Sequence, residues 1–253
     1  MSDVPESHPR YQSLRLRDQI VEGVEIGITS NHGLIAHGRG EAFDYLFGER
    51  THGFAVDAVR AAGALLLIAD QPVISVNGNA AALAPSELAT LSKLVDAPLE
   101  VNLFHKSFER EGRIAQHLAT HGATHVLLPS SATPTVAGLD SNRRFVNAEG
   151  ILQADTVFVP LEDGDRCEAL IGMGKRVITV DLNPLSRTAR AATITIVDNV
   201  VRALPCLIRA IPELKRKTPH ALREIVQGFD NDVRLSRART RMRNEGSAAE
   251  TSS

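Results

Sequence analysis

Two short apolar runs, Thr156 to Pro160 and Arg176 to Val180, each end in a dense polar cluster: Glu162-Asp-Gly-Asp-Arg166 after the first, Asp181-Leu-Asn-Pro-Leu-Ser-Arg187 after the second. Guanidiniums grip phosphate oxygens in pairs, and Asp or Asn accepts hydrogen bonds from ribose hydroxyls, so these clusters suit a ligand built of phosphate and ribose. In the first cluster Asp163 and Asp165 are placed to hold Mg²⁺ or to anchor a substrate amine, with Arg166 beside them, and these three are the candidate catalytic residues. Asp, Asn and Ser are also ordinary helix N-caps, and capped loops are the plain alternative.

Other motifs carry less. His37-Gly-Arg-Gly40 sets a guanidinium between two glycines, as a turn or as a loop that lets the backbone approach an anion. The third glycine of a dinucleotide fingerprint would fall at Phe43, and no long strand leads into the motif, which argues against nicotinamide-dependent hydride transfer. Ser75-Val-Asn-Gly-Asn79 closes a strand and opens a helix, where amides could meet a phosphate or Asn could simply cap. Gly172-Met-Gly-Lys175 lacks phosphate-loop spacing and reads as a helix end. The nine histidines form no H-E-x-x-H or close His/Cys group, and no G-x-S-x-G elbow supports a hydrolase.

The elements that must position the clusters follow from periodicity. Apolar positions at Leu14, Leu16, Ile20, Val21 and Val24 predict an amphipathic helix from Tyr11 towards Ile28, with Gly23 and Gly27 weakening its end. A second helix is expected over Ala55 to Ala69. Strands follow at Pro72 to Val76, 99–103, 124–129, 155–160, 176–181 and 193–197, interleaved with helices at 85–95, 108–121 and 165–173. This alternation implies an α/β fold with a mostly parallel sheet, helices on both faces and a helical N-terminal extension. Ligands of such sheets bind beyond the strand carboxyl ends, which places both clusters in one crevice. Residues 130–150 form the longest expected loop, a common place for function. Helices are read at Asn199 to Leu214, Pro219 to Phe229 and, rich in Arg, Leu235 to Arg243. One domain over 1–245 and a disordered tail over 246–253 complete the parse.

With 253 residues and 43% hydrophobic content the chain can bury one substantial core. A formal charge of −2 provides no field for nucleic acid, and no apolar run is long enough to span a bilayer, so neither nucleic acid nor membrane is expected as a partner. Cys167 and Cys206 are too few for a disulfide framework, and the start of the chain lacks a secretory pattern, which suits a cytoplasmic protein.

Six blocks together resemble the archaeal phosphopantothenate synthetase family, also called 4-phosphopantoate:β-alanine ligase. They are Ser7-His-Pro-Arg-Tyr11, Gly33 through Leu46, Pro72 through Asn79, Val159 through Arg166, Val180 through Arg187 and Ile194 through Asn199, in the family's order and across nearly the whole chain. The resemblance implies a Rossmann-like homodimer that uses ATP to join 4-phosphopantoate to β-alanine, releasing AMP and pyrophosphate and forming 4'-phosphopantothenate for coenzyme A synthesis. It implies ATP contacts at Arg17, Arg39, Asp181, Leu182, Asn183, Arg187, Thr188, Asn199 and Val200, with Mg²⁺ as the expected ion and no metal ligands assigned. A non-catalytic nucleotide or coenzyme A sensor on the same fold is the alternative, because fold alone does not dictate function.

Overall fold

Parallel strands buried on both faces are the architecture the Val/Ile-rich runs require. The computed structural model describes residues 4–8, 10–105, 107–130 and 135–250, with side chains through Asn244. Its six strands, β1 (Pro72–Val76), β2 (Leu99–Val101), β3 (Val126–Leu127), β4 (Thr156–Pro160), β5 (Arg176–Val180) and β6 (Ile194–Ile196), form one parallel sheet in the order β3-β2-β1-β4-β5-β6. All pairings are parallel. The strand order reverses between β1 and β4, and the register sets Pro160 opposite Val180, so β4 and β5 end level with each other. A crevice opens where neighbouring crossovers leave on opposite faces. The expected α/β, Rossmann-like fold is the one observed, and the edge strand β3 and its neighbour β2 are shorter than their apolar runs.

Successive side chains point to opposite faces of the sheet. Ile74, Val76, Phe158, Ile178 and Val180 join the larger core with helices α3 (Gly53–Ile68), α5 (Pro85–Val95) and α9 (Val200–Leu214). Val73, Val157, Val159 and Val177 join the smaller one with α7 (Gly164–Gly172) and with Val136, Val146 and Ile151. The 130–150 segment, of which 131–134 lie outside the described residues, therefore covers the second face of the sheet. Its described residues hold one 3₁₀ turn, Asn142–Arg144. Glu100 in β2, fully buried, ties this segment down by accepting hydrogen bonds from the amides of Asn147 (2.8 Å) and Ile151 (2.6 Å). Burial outweighs those two bonds and pushes the Glu100 carboxyl up to about 7.

The N-terminal region is helical: α1 (Tyr11–Glu25), α2 (Asn31–Phe47) and then α3, whose alanine face is buried. The His37 to Gly40 motif is no turn; it lies inside α2, which corrects the loop reading. Two of the three glycines of α2, Gly33 and Gly40, answer to tertiary packing rather than to a turn, while Gly38 faces open space. Gly33 is pressed on the Thr29 and Asn79 side chains, and a Cβ at Gly40 would stand 3.2 Å from Asn199 Nδ2. Gly78, which opens α4 (Gly78–Leu83), leaves no room either: its Cβ would meet the Ile28 carbonyl oxygen at 2.7 Å. Each interior helix glycine costs about 1 kcal/mol in propensity, and tertiary burial offsets it.

After β6 the chain runs through α9 and α10 (Pro219–Gln227) into α11 (Asn231–Glu250). Backbone helix thus continues across 246–250, where the sequence suggested a disordered tail; 251–253 lie outside the described residues, as does Pro9 of the first family block. Among the described residues no helix is long and apolar enough to cross a membrane.

Candidate functional site: a cleft at the sheet's switch point

A cleft of about 890 Å³ opens beyond the carboxyl ends of β1, β4 and β5, with α2 as one wall. Asn77 fixes its floor. This side chain caps α4 by accepting from the Ala80 amide (3.0 Å), and its Nδ2 donates to the carbonyls of Pro160 (2.9 Å) and Leu161 (3.2 Å), locking the end of β1 to the end of β4. Leu161 then takes φ +60°, a left-handed conformation unusual for a residue with a side chain, as the chain turns into Glu162.

The half of the cleft beyond β5 is lined by Arg39 from α2 and by Asp181, Leu182, Asn183, Ser186, Arg187 and Thr188. Asp181 accepts from the Asn183 amide (2.9 Å) and the Ser186 hydroxyl, while Ser186 caps α8 (Arg187–Ala191) at the Ala189 amide (2.9 Å). Burial raises the Asp181 pKa; the hydrogen bonds and the charge of Arg39 oppose that rise. Thr188 donates to the Glu162 carbonyl (2.9 Å) and joins the two clusters. The exposed Arg187 guanidinium rests on Asp165 (2.6 Å) and Glu168 (2.6 Å), and Glu168 is the main cause of its raised pKa. Surface ion pairs of this kind are weak, so an incoming phosphate can take this guanidinium over.

The half beyond β1 and β4 is organised around Glu162, whose side chain is fully buried. Its carboxylate accepts from Nη1 of Arg143, from Nη1 of Arg166 and from the Asp163 amide (2.7 Å). Arg166, also fully buried, donates from Nη2 to the Ser75 hydroxyl (3.2 Å), and burial lowers its pKa against the pull of Glu162. Arg143 donates from Nη1 to Asp163 Oδ2 (2.8 Å) and from Nε to Asn102 Oδ1 (3.2 Å). Nearby, Arg110 donates to the His105 carbonyl (2.8 Å), and burial lowers its pKa.

Of the residues singled out in the sequence, Arg39, Asp163, Asp181, Leu182, Asn183, Arg187 and Thr188 line the cleft. Asp165 does not; it tethers Arg187. Arg166 is interior and reaches the cleft only through Glu162. Arg17 lies on α1, paired with Glu41 of α2. Asn199 caps α9 at the Val201 amide (3.4 Å) beside Gly40, and Val200 is core. Sequence reasoning did not single out Glu162, Arg143 or Arg110. Glu162 stood within the flagged cluster and Arg143 within the flagged loop, but no spacing rule joins residues 19 apart across such a loop. A resident metal does not fit the donors present: among the described residues no group of three or more His, Cys, Asp or Glu is arranged to hold one, and Asp163 and Asp165 each face a guanidinium.

A parallel sheet in this order, with a guanidinium-rimmed cleft at its switch point, defines an α/β protein whose cleft suits a phosphate-bearing ligand. The particular family follows from comparison with known proteins. A family model described as "Phosphopantothenate/pantothenate synthetase" matches residues 54–245, and the chain belongs to that family. It is 53% identical over 236 residues to a protein of Thermococcus kodakarensis named 4-phosphopantoate--beta-alanine ligase, covering 93% of this chain and 90% of that one. A Methanosarcina mazei protein of the same name is 51% identical over 239 residues, covering 94% and 93%.

Proposed function

We propose that this protein is an ATP-dependent ligase that condenses 4-phosphopantoate with β-alanine to 4'-phosphopantothenate, a step of coenzyme A synthesis in the cytoplasm. The reading is carried by identity at half of all positions over nine-tenths of the chain to proteins that bear this reaction in their names. The cleft supports it. Joining a carboxylate to an amine needs an activated acyl group, and no protein nucleophile is required if the carboxylate oxygen attacks the α-phosphorus of ATP. Pyrophosphate leaves, the amine then attacks the acyl carbon, and AMP departs with the carboxylate oxygen. Such a site must neutralise phosphate and align reactants, which is work for fixed charges and dipoles.

In this proposal Arg39 and Arg187 take the triphosphate, Asp181 and Asn183 the adenosine, and Leu182 and Thr188 shape the wall between them. Asp163 serves the second substrate, while Arg166 and Asp165 act as positioning residues, through Glu162 and Arg187 respectively. Asn199 and Val200 support the α2 turn that presents Arg39. Mg²⁺ belongs to the nucleotide substrate rather than to a protein cage, and supplies charge neutralisation of its phosphates. A homodimer is proposed through the apolar side chains left exposed on α1 and α2, among them Ile35 (74% exposed) and Tyr45 (71%), with Arg17 contacting nucleotide from this region on assembly. Sedimentation of a monomer at micromolar concentration would remove that part.

The test is release of AMP and pyrophosphate by purified protein with ATP, Mg²⁺, 4-phosphopantoate and β-alanine, each omitted in turn. Release that needs both organic substrates, with 4'-phosphopantothenate as product, is the expected result. ATP binding without turnover would instead mark a nucleotide sensor.

A further inference from the structure

We propose that the Arg143–Asp163 ion pair is the seat of the β-alanine zwitterion, an assignment that rests on the ligase reading above. Arg143 lines the cleft yet is only 3% exposed. Its Nε is held by Asn102 and its Nη1 by Glu162 and Asp163, but its buried Nη2 has no hydrogen-bond partner among the described residues. Buried guanidinium nitrogens without an acceptor are rare in native proteins and ask for an explanation. A ligand carboxylate laid against Nη1 and Nη2 provides one, in the paired geometry that guanidinium favours.

Asp163 is the complementary half. It occupies the N-cap position of α7 but makes no capping hydrogen bond, and its side chain is 51% exposed. Its backbone is fixed through the Glu162 carboxylate, while among the described residues its own carboxylate is held by Arg143 alone. It can therefore leave Nη1 and remain in the cleft. Displaced by the substrate carboxylate, it takes the substrate ammonium two methylenes away.

Charge selects the occupant. The two guanidiniums of Arg143 and Arg166 already face the two carboxylates of Glu162 and Asp163. A phosphomonoester dianion held by Arg143 would sit directly against both acids, whereas a zwitterion adds no net charge and leaves each charge with an opposite partner. The exchange replaces one ion pair by two, and the glutamate network stays intact. The phosphate of the acyl substrate must then lie elsewhere in the cleft, away from these acids.

The test compares β-alanine with 3-aminopropanol, which has the amine and no carboxylate, as acceptors for full-length protein given ATP and 4-phosphopantoate. Wild type should prefer β-alanine strongly. In Arg143→Gln that preference should collapse by about tenfold or more, the effect of one lost charged hydrogen bond. If this variant fails to fold, Arg143→Lys keeps the charge but loses the fork and should show the same collapse. Asp163→Asn, at a half-exposed position, should raise the KM for β-alanine by about tenfold or more with a smaller change in kcat. A wild-type preference in the Arg143 variants together with a wild-type β-alanine KM in Asp163→Asn overturns the seat while leaving the ligase standing. A wild-type protein that forms no product overturns both readings.

Discussion

Replacing Glu162 by Gln removes one charge and little volume from the centre of the site, and the structure allows the consequence to be worked out. The carboxylate serves three donors, Arg143 Nη1, Arg166 Nη1 and the Asp163 amide, in a place where the side chains of Glu162, Arg143 and Arg166 are 0%, 4% and 0% exposed. Gln offers one acceptor oxygen and turns an NH₂ towards a guanidinium, so Arg166 loses its ion-pair partner and Arg143 keeps only the half-exposed Asp163. Removing one partner from a buried ion pair costs about 3–5 kcal/mol, chiefly the desolvation of the charge left behind. At about 2–4 °C per kcal/mol for a chain of this size, Glu162→Gln should melt about 6–20 °C below wild type at pH 7. Far-UV circular dichroism and calorimetry read the shift, with Arg187→Gln as the control. That substitution breaks ion pairs whose members are 48–69% exposed and should move Tm by no more than about 3 °C. A Glu162→Gln midpoint within about 3 °C of wild type would refute the view that this cluster is a desolvated, mutually dependent network.

Glu100 makes stability depend on pH. Its ordinary value is 4.5 and burial pushes it to about 7, so between those values the folded protein holds a proton that the unfolded chain has released. Stability should therefore fall as pH rises through this window and level off above it, by about 3 kcal/mol in full. Urea midpoints at pH 5 and 8 for wild type and Glu100→Gln isolate this contribution, and an equal pH dependence in both proteins would refute it. At the other end of the cleft, Arg39→Ala and Asp181→Ala should each weaken ATP by about 10–100-fold, as expected for loss of a charged hydrogen bond. Calorimetric titration measures it, and wild-type affinity in either variant would remove that residue from the nucleotide site.

Local patterns brought the sequence reading close to the site. Short Val/Ile runs that stop at polar clusters are buried parallel strands, because only a strand covered on both faces needs apolar side chains at every position, and β4 and β5 are such strands. Given a parallel sheet, the clusters that follow must stand at one end of it, so the placing of Asp163, Asp181 and Arg187 together was implied by residues 156–187 alone. Where pattern and packing compete, the reading failed. His37 to Gly40 looked like a turn because glycine spacing reports backbone freedom, yet the motif lies in a helix in which a Cβ at Gly40 would stand 3.2 Å from Asn199 Nδ2.

What the sequence by itself determined is the alternation of strands and helices, the crevice at the strand ends and the family to which the six blocks point. Only the tertiary structure decided that Arg166 turns inward to Glu162 and Ser75 while Arg143, from a segment without periodicity, comes to line the cleft beside Asp163. The physical reason lies in what each level of order depends on. Strand and helix patterns follow from side chains a few residues apart, whereas the pairing of a buried charge depends on which opposite charge the folded chain brings within hydrogen-bonding reach. For Glu162 those partners stand 4 residues away in Arg166 and 19 away in Arg143, and only the second required the sheet to be assembled first.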